Sequence, residues 1–355
     1  MFLRFDISKV LSLYSQDKLD NSHINYDAVP HLDKWTNFVD LLMQANLVRI
    51  DNNLSPTRYA YSLIDRTKSI PSIVKTHIED DQLIPTGKPK SLNLLDVCLD
   101  RASEILKTDK PINILWSGGV DSTVALFALM RQARNIDQLS IVCTFESILE
   151  SGGLFDALIK DSGIRIKFDQ TRRNTNLPFT FDYEDPTQIY ITGQCADQMF
   201  ANSRFLKIKD TPQTDPWYSG YDKKLLDLIE PSLKFSSRPI ETVYDFRWWS
   251  MFNYVWTTVI YDDYIDRPLH MANRINSFYA TPEFQRWAMY TPTHYESLNL
   301  QDSPHEYKTP LKKVLGQLID YPYYIKNKKK EYSFTWKKNN NWYLLDKNFK
   351  TYYMT

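Results

Sequence analysis

The 355-residue chain lacks the cysteine and histidine patterns that mark metal-binding or disulfide-rich proteins. Its three cysteines, Cys98, Cys143 and Cys195, are isolated, and no CxxC pair indicates a zinc site, a redox couple or a disulfide framework. We therefore expect three small, buried hydrophobic side chains. The six histidines show no HExxH or comparable spacing, which argues against a histidine metal centre.

The chain also lacks an excess of charge and a long apolar run. Its 43 Lys and Arg residues balance 43 Asp and Glu residues, so no overall charge draws it to nucleic acid or to a membrane. No apolar run approaches the ~20 residues that span a bilayer, and the N-terminal MFLRFDISKV reaches polar residues too soon for a secretory signal. We expect a cytoplasmic protein that does not bind membranes.

What the chain does contain is an alternation of strand and helix patterns after about residue 90. Short apolar strands separated by helices predict an α/β fold, with a parallel sheet covered by helices on both faces. The predicted strands are Ile112–Trp116, Ser140–Phe145, Ile164–Phe168 and Gln188–Thr192.

The regions before and after this alternating pattern have a different residue composition. Residues 1–90 end in the breaker-rich LIPTGKPKS and predict a small N-terminal domain of unknown role. After about residue 210, aromatic residues at helical spacing, as in FRWWSMFNYVW, predict helices whose aromatic stripe forms core. Residues 336–355 form a basic, aromatic tail, which leaves residues 91–335 as the main domain.

The segment ILWSGGVDSTVALFAL places a Ser-Gly-Gly turn between a strand and a helix. Gly118 and Gly119 let the backbone approach a ligand closely, so that successive N–H groups converge on one anion. The N terminus of the following helix adds unpaired amides, and Ser117 and Ser122 add hydroxyl donors. The sequence contains neither GxxxxGK[ST] nor GxGxxG, which excludes two common phosphate loops. A phosphate chain is the simplest ligand.

Asp121 would repel such a phosphate chain unless a cation lay between them. Magnesium takes carboxylate and phosphate oxygens together, so Asp121 is predicted to be a metal ligand. The later segment YITGQCADQMF repeats the pattern of strand, small-residue turn and Asp, and it puts Gly193 and Asp197 after another strand. Because parallel strands share one carboxyl edge, we expect Asp197 near Asp121.

The first segment resembles the PP-loop of the ATP pyrophosphatase superfamily, whose members cleave ATP between the α and β phosphates. Together with the second segment, it resembles the asparagine synthetase family, where the second segment reads approximately SGEGADELFGGY. CTFES, FYATPEFQRWAM and YKTPLKKVL followed by IKNKKKEYSF are similar to further family segments. The likeness extends over about residues 92–335.

This resemblance implies ATP and Mg²⁺ as ligands and a role for each matching residue. Asp121 and Asp197 would hold magnesium and take part in catalysis. A lysine of the 328–330 run, Lys330 first and Lys329 next, would stabilise charge on the phosphates. The nucleotide-binding positions would be Ser117, Gly118, Gly119, Asp121, Ser122, Thr144, Phe145 and Gly193.

Two departures from the family bear on the substrate. Gln194 and Gln198 stand where the family has glutamates, and glutamine cannot act as the base that takes a proton from ammonia. The start MFLRF, with only about 90 residues before the sheet, also predicts no glutaminase domain. We expect an AMP-forming ligase that adenylylates a carboxylate and then joins it to an amine or to ammonia.

Other interpretations remain open at this point. The basic tail, with Phe334 and Trp336, could grip a nucleic acid, in which case the enzyme would modify a nucleobase or a nucleic acid. Loss of two carboxylates at Gln194 and Gln198 is compatible with an inactive nucleotide-binding protein. The DDxxD pattern of Asp262–Asp266 fits a solvated acidic face better than a diphosphate site, or else lines an acceptor pocket.

Overall fold

The computed structural model describes residues 65–67, 69, 84–169, 187–200, 212, 214–219, 223–256, 275–291, 308–327, 342–345 and 351–354. The chain divides into two compact units. The sheet unit comprises Lys88–Phe200 and Asp266–Lys337, and the aromatic unit comprises Met1–Gly87, Ala201–Ile265 and Lys338–Thr355. Predictions on Asp262–Asp266, residues 328–330, Phe334 and Trp336 fall outside the described residues.

A five-stranded sheet lies at the centre of the sheet unit, and all its strand pairs are parallel. Its spatial order is β3-β2-β1-β4-β5. The strands are β1 (Ile112–Leu115), β2 (Leu139–Cys143), β3 (Arg165–Phe168), β4 (Ile189–Thr192) and β5 (Ile275–Ser277). This sheet with its helices confirms the α/β prediction, and β5 is an addition that the sequence pattern did not reveal.

Nine α-helices accompany the strands in the described part of the chain. They are α1 (Leu94–Ile105), α2 (Val120–Gln132), α3 (Phe145–Glu150), α4 (Ala196–Met199), α5 (Lys223–Leu233), α6 (Val243–Ser250), α7 (Pro282–Tyr290), α8 (Thr309–Leu318) and α9 (Pro322–Asn327). A 3₁₀ turn covers Ile136–Gln138, and π-helical turns cover Phe155–Ile159 and Met251–Val255.

Helix α2 is the central helix of the sheet unit. It packs against both α1 and α8, and Val124 to Leu129 are all buried. Burial of a Val or Leu side chain stabilises a fold by about 1.5–3 kcal/mol, so this apolar run anchors the helix firmly. The polar residues at the start of α2 are therefore held at a fixed place after β1.

The aromatic unit is built around α6 and the π-helical turn that continues it. A capping box between Thr242 and Asp245 starts α6. The predicted core role of the aromatic stripe is confirmed, because its large side chains are buried: Phe246, Trp248, Trp249, Met251, Phe252, Tyr254 and Trp256. In the same unit, β6 (Trp342–Leu345) and β7 (Thr351–Met354) pair in antiparallel fashion.

Two further sequence predictions can be compared with the structure. All three cysteines are buried thiols, as expected. Burial raises the pKa of Cys143 to about 12, so this thiol is not a reactive thiolate. None of the described helices is both long and apolar enough to cross a bilayer.

Candidate functional site

The loop after β1 passes through a backbone conformation that glycine favours. Gly118 has a φ of +73°, and a Cβ placed on it would lie 2.0 Å from the Ser147 carbonyl oxygen at the start of α3. Both facts exclude a side chain at this position. The Ser-Gly-Gly turn is thus pressed against α3, and its shape is fixed by that contact.

Hydroxyl groups line the same loop. The Ser117 backbone N–H donates to Ser122 Oγ (3.1 Å), and the two serine Oγ atoms lie 3.0 Å apart. Thr123 Oγ1 donates to the Gly119 carbonyl (2.7 Å) and accepts from Trp116 Nε1 (3.0 Å). At Gly119, the N-cap of α2, the structure shows no side-chain capping bond. The first N–H groups of α2 therefore lack intrahelical acceptors and suit an anion.

Two buried tyrosines hold the loop from behind. Tyr324 donates to the Gly118 carbonyl (3.0 Å), and Tyr279 donates to the Asp121 carbonyl (2.9 Å). Burial raises the pKa of both phenols, and the charge of nearby Asp121 raises it further. The phenols therefore stay protonated and keep donating at any physiological pH.

The loop after β4 lies directly against the start of α2. A Cβ on Gly193 would lie only 2.7 Å from the Ser122 backbone nitrogen, so this close approach requires glycine. Two residues later, Cys195 has a φ of +68°, which is a left-handed conformation rare for residues with a side chain. This left-handed position holds a buried cysteine side chain. The strained turn leads into α4, which carries Asp197.

Lys308 joins the two loops. Its Nζ lies 2.6 Å from Asp121 Oδ2 and 2.8 Å from Asp197 Oδ1. The two carboxylates therefore lie close together, as the spacing of the two segments predicted. Their side chains are 21% and 42% exposed, respectively, so the site opens to solvent mainly on the Asp197 side.

Sequence reasoning did not single out Lys308. It pointed instead to Lys329 and Lys330, which lie outside the described residues. Lys308 is 187 residues away from Asp121 in the sequence. It lies in the segment YKTPLKKVL, which sequence reasoning had included, but the lysine role was assigned to the later 328–330 run.

The sequence assignment of Thr144 and Phe145 to the end of a strand is wrong. β2 ends at Cys143, and Thr144 is the N-cap of α3, where its side chain accepts from the Ser147 N–H (3.1 Å). The reciprocal bond from the Thr144 N–H to Ser147 Oγ (2.9 Å) completes a capping box. Phe145 is the first residue of the helix and is 67% exposed, so its ring stands in solvent at this edge.

The position of these loops in the sheet is informative. β1 lies in the middle, with β2 and β3 on one side and β4 and β5 on the other, so the strand order reverses between β1 and β4. In open α/β sheets, ligands bind beyond the carboxyl ends of the strands at such a reversal. The Ser117–Gly119 turn, Gly193 and Asp197 all follow these two strands.

The donor set fits magnesium. One carboxylate oxygen from each of Asp121 and Asp197 is directed at a single point, which the Lys308 ammonium takes in the structure. Within the described ranges, no cluster of three or more His, Cys, Asp or Glu side chains is arranged around a metal position. Mg²⁺ commonly uses only one or two carboxylates and completes its shell with water and substrate phosphates. Two carboxylates beside a loop of serine hydroxyls and helix-start amides meet that requirement.

Comparison of the chain with models of protein families, with curated proteins and with solved structures finds no match.

Proposed function

We propose that the protein is an ATP-dependent ligase that forms AMP and pyrophosphate, with a site of the asparagine synthetase type. The single observation that supports this most strongly is that Asp121 and Asp197 both contact the Lys308 ammonium, at the point where the strand order reverses. A turn with only a structural role does not require two carboxylates from distant segments beside a loop rich in amides and hydroxyls.

In this proposal the loop residues bind the phosphates. The amides at the start of α2 and the hydroxyls of Ser117 and Ser122 would donate to the pyrophosphate moiety of ATP. Asp121 and Asp197 would hold Mg²⁺, which when bound neutralises charge on the leaving pyrophosphate. Lys308, which contacts both aspartates, would supply a positive charge to the same phosphates.

The chemistry would proceed in two steps on the substrates. A carboxylate oxygen of the first substrate forms a bond to the α phosphorus, and pyrophosphate leaves. An amine then attacks the acyl carbon and displaces AMP, giving an amide. The attacking nitrogen loses a proton as the amide forms. Gln194 and Gln198 cannot take that proton, so it would pass to the departing AMP phosphate or to solvent.

The experiment is to incubate the protein with Mg²⁺, ATP and candidate carboxylates and to identify the nucleotide product. AMP with pyrophosphate, together with exchange of labelled pyrophosphate into ATP, is expected. Asp121→Asn should abolish the exchange, whereas Asp137→Asn, which removes an exposed carboxylate in the 3₁₀ turn, should leave it unchanged.

Two other results would contradict the proposal. Release of ADP and phosphate would exclude cleavage between the α and β phosphates. Tight ATP binding with no exchange for any carboxylate would favour a nucleotide-binding protein without catalysis.

A further inference from the structure

Lys308 is held where it is by the packing of the helix it precedes. Lys308 is the N-cap residue of α8, and α8 packs against α2, the helix that begins next to Asp121. Leu311, Val314 and Leu315 of α8 are buried. Because this apolar face fixes the start of α8, the Lys308 side chain begins close to Asp121. Lys308 is 21% exposed, so its side chain lies mostly against protein.

The ammonium group occupies the place between the two carboxylates. Its Nζ is within 2.8 Å of an oxygen from each aspartate. A divalent ion that used the same two oxygens would lie within about 5 Å of the ammonium nitrogen. A single and a double positive charge at such a short separation repel each other strongly in a partly buried site. The lysine and the metal ion are therefore alternatives at this position.

We infer that Lys308 is a built-in counter-cation that keeps divalent metal ions out of the Asp121–Asp197 pair until a nucleotide arrives. The triphosphate offers the ammonium a new set of anionic oxygens, so that the lysine turns to the phosphates as the metal enters. This second part rests on the proposed function, whereas the exclusion of free metal depends only on the observed contacts.

The test measures Mn²⁺ binding to the protein without nucleotide, by electron paramagnetic resonance of the free ion. Lys308→Met should bind Mn²⁺ at least about tenfold more tightly than the wild type, because the competing charge is gone. Lys313→Met is the matched control, since Lys313 is an exposed lysine of the same helix, and its Mn²⁺ affinity should equal that of the wild type. Asp121→Asn in the Lys308→Met background should remove the gain.

Equal Mn²⁺ affinities for Lys308→Met and the wild type would overturn the inference. Tight Mn²⁺ binding by the wild type without nucleotide, if Asp121→Asn abolishes it, would also overturn the inference. This second measurement does not require the Lys308 variant to fold. Failure of the proposed function has a different signature. In that case no AMP is released for any carboxylate, while the difference in Mn²⁺ affinity between the Lys308 variant and the wild type persists.

Discussion

At the scale of single residues, Gly118 and Gly152 share a left-handed backbone and differ in their surroundings. Gly118 (φ +73°) would press an added Cβ against the Ser147 carbonyl, whereas Gly152 (φ +57°) has nothing within 4 Å of that position. Comparison of the two therefore separates backbone strain from collision.

We expect Gly152→Ala to lower the free energy of unfolding by about 1 kcal/mol, which is the backbone term alone. Gly118→Ala should cost about 3 kcal/mol or more, because the collision of Cβ with Ser147 is added. Urea denaturation followed by circular dichroism measures both values. Equal losses in the two variants would show that α3 yields easily and that the loop is not fixed by this contact.

Cys195 presents the opposite case, a side chain where the backbone favours glycine. Cys195→Ala removes the buried sulfur and keeps the strain, whereas Cys195→Gly removes both. We expect the glycine variant to be about 1 kcal/mol more stable than the alanine variant, since the left-handed region costs a side chain about that much. Thermal and urea denaturation of the two variants test this directly. An alanine variant at least as stable as the glycine variant would mean that Cys195 is not strained.

At the scale of elements, α3 begins at a capping box that the strand interpretation overlooked. Thr144→Ala should lower the free energy of unfolding by about 1 kcal/mol, because the Ser147 N–H loses its acceptor. Thr144→Ser keeps the hydroxyl and should retain most of that stability. Urea denaturation of both variants measures the difference, and a loss for Thr144→Ser as large as that for Thr144→Ala would show that the hydroxyl cap does not stabilise α3.

Elements with a strong periodic signal were predictable from the sequence, and contacts between distant segments were not. β1, β2 and β4 are mainly apolar runs and β3 (RIKF) alternates polar and apolar residues, so the existence of all four strands was predictable. β5 is only three residues long, reads Ile-Asn-Ser and pairs with β4 alone, so it carries too little pattern to be recognised. Thr144 and Phe145 have high β-propensity, so the sequence pattern assigned them to β2. In the structure the capping box between Thr144 and Ser147 starts a helix there instead.

The candidate site shows the same division. Ser117–Gly119, Asp121 and Asp197 were found because strand, turn and helix signals coincide at each segment. Lys308 was missed because a lysine at the start of a helix is common, and only the packing of α8 on α2 brings it to Asp121. The segment that contains Lys308 was noticed, but its pattern did not show which lysine reaches the two carboxylates.

At the scale of the whole molecule, buried tyrosine phenols make the protein less stable at alkaline pH. The pKa values of Tyr279 and Tyr324 are raised by burial, so the folded state holds these protons after the unfolded chain has begun to lose them near pH 10. Their contribution is complete below pH 10 and declines as the pH rises above it.

We therefore expect the free energy of unfolding to fall above about pH 10 by up to about 1.4 kcal/mol per pH unit for each such tyrosine. Tyr324→Phe should be less stable than the wild type at pH 8, because the Gly118 carbonyl loses its donor. Above pH 10, the free energy of unfolding of this variant should fall less steeply than that of the wild type, because one buried tyrosine is missing. Urea titrations at pH 8 and at pH 10.5 compare the two proteins, and parallel declines would show that Tyr324 ionises as freely as a solvent-exposed phenol.

The separation of Asp121 and Lys308 by 187 residues also has a consequence for synthesis. A ribosome releases the Ser-Gly-Gly turn long before it reaches α8, so the growing chain displays Asp121 and Asp197 without the ammonium that lies between them in the folded protein. Lys308 reaches the two carboxylates only once α8 has left the exit tunnel and packed against α2.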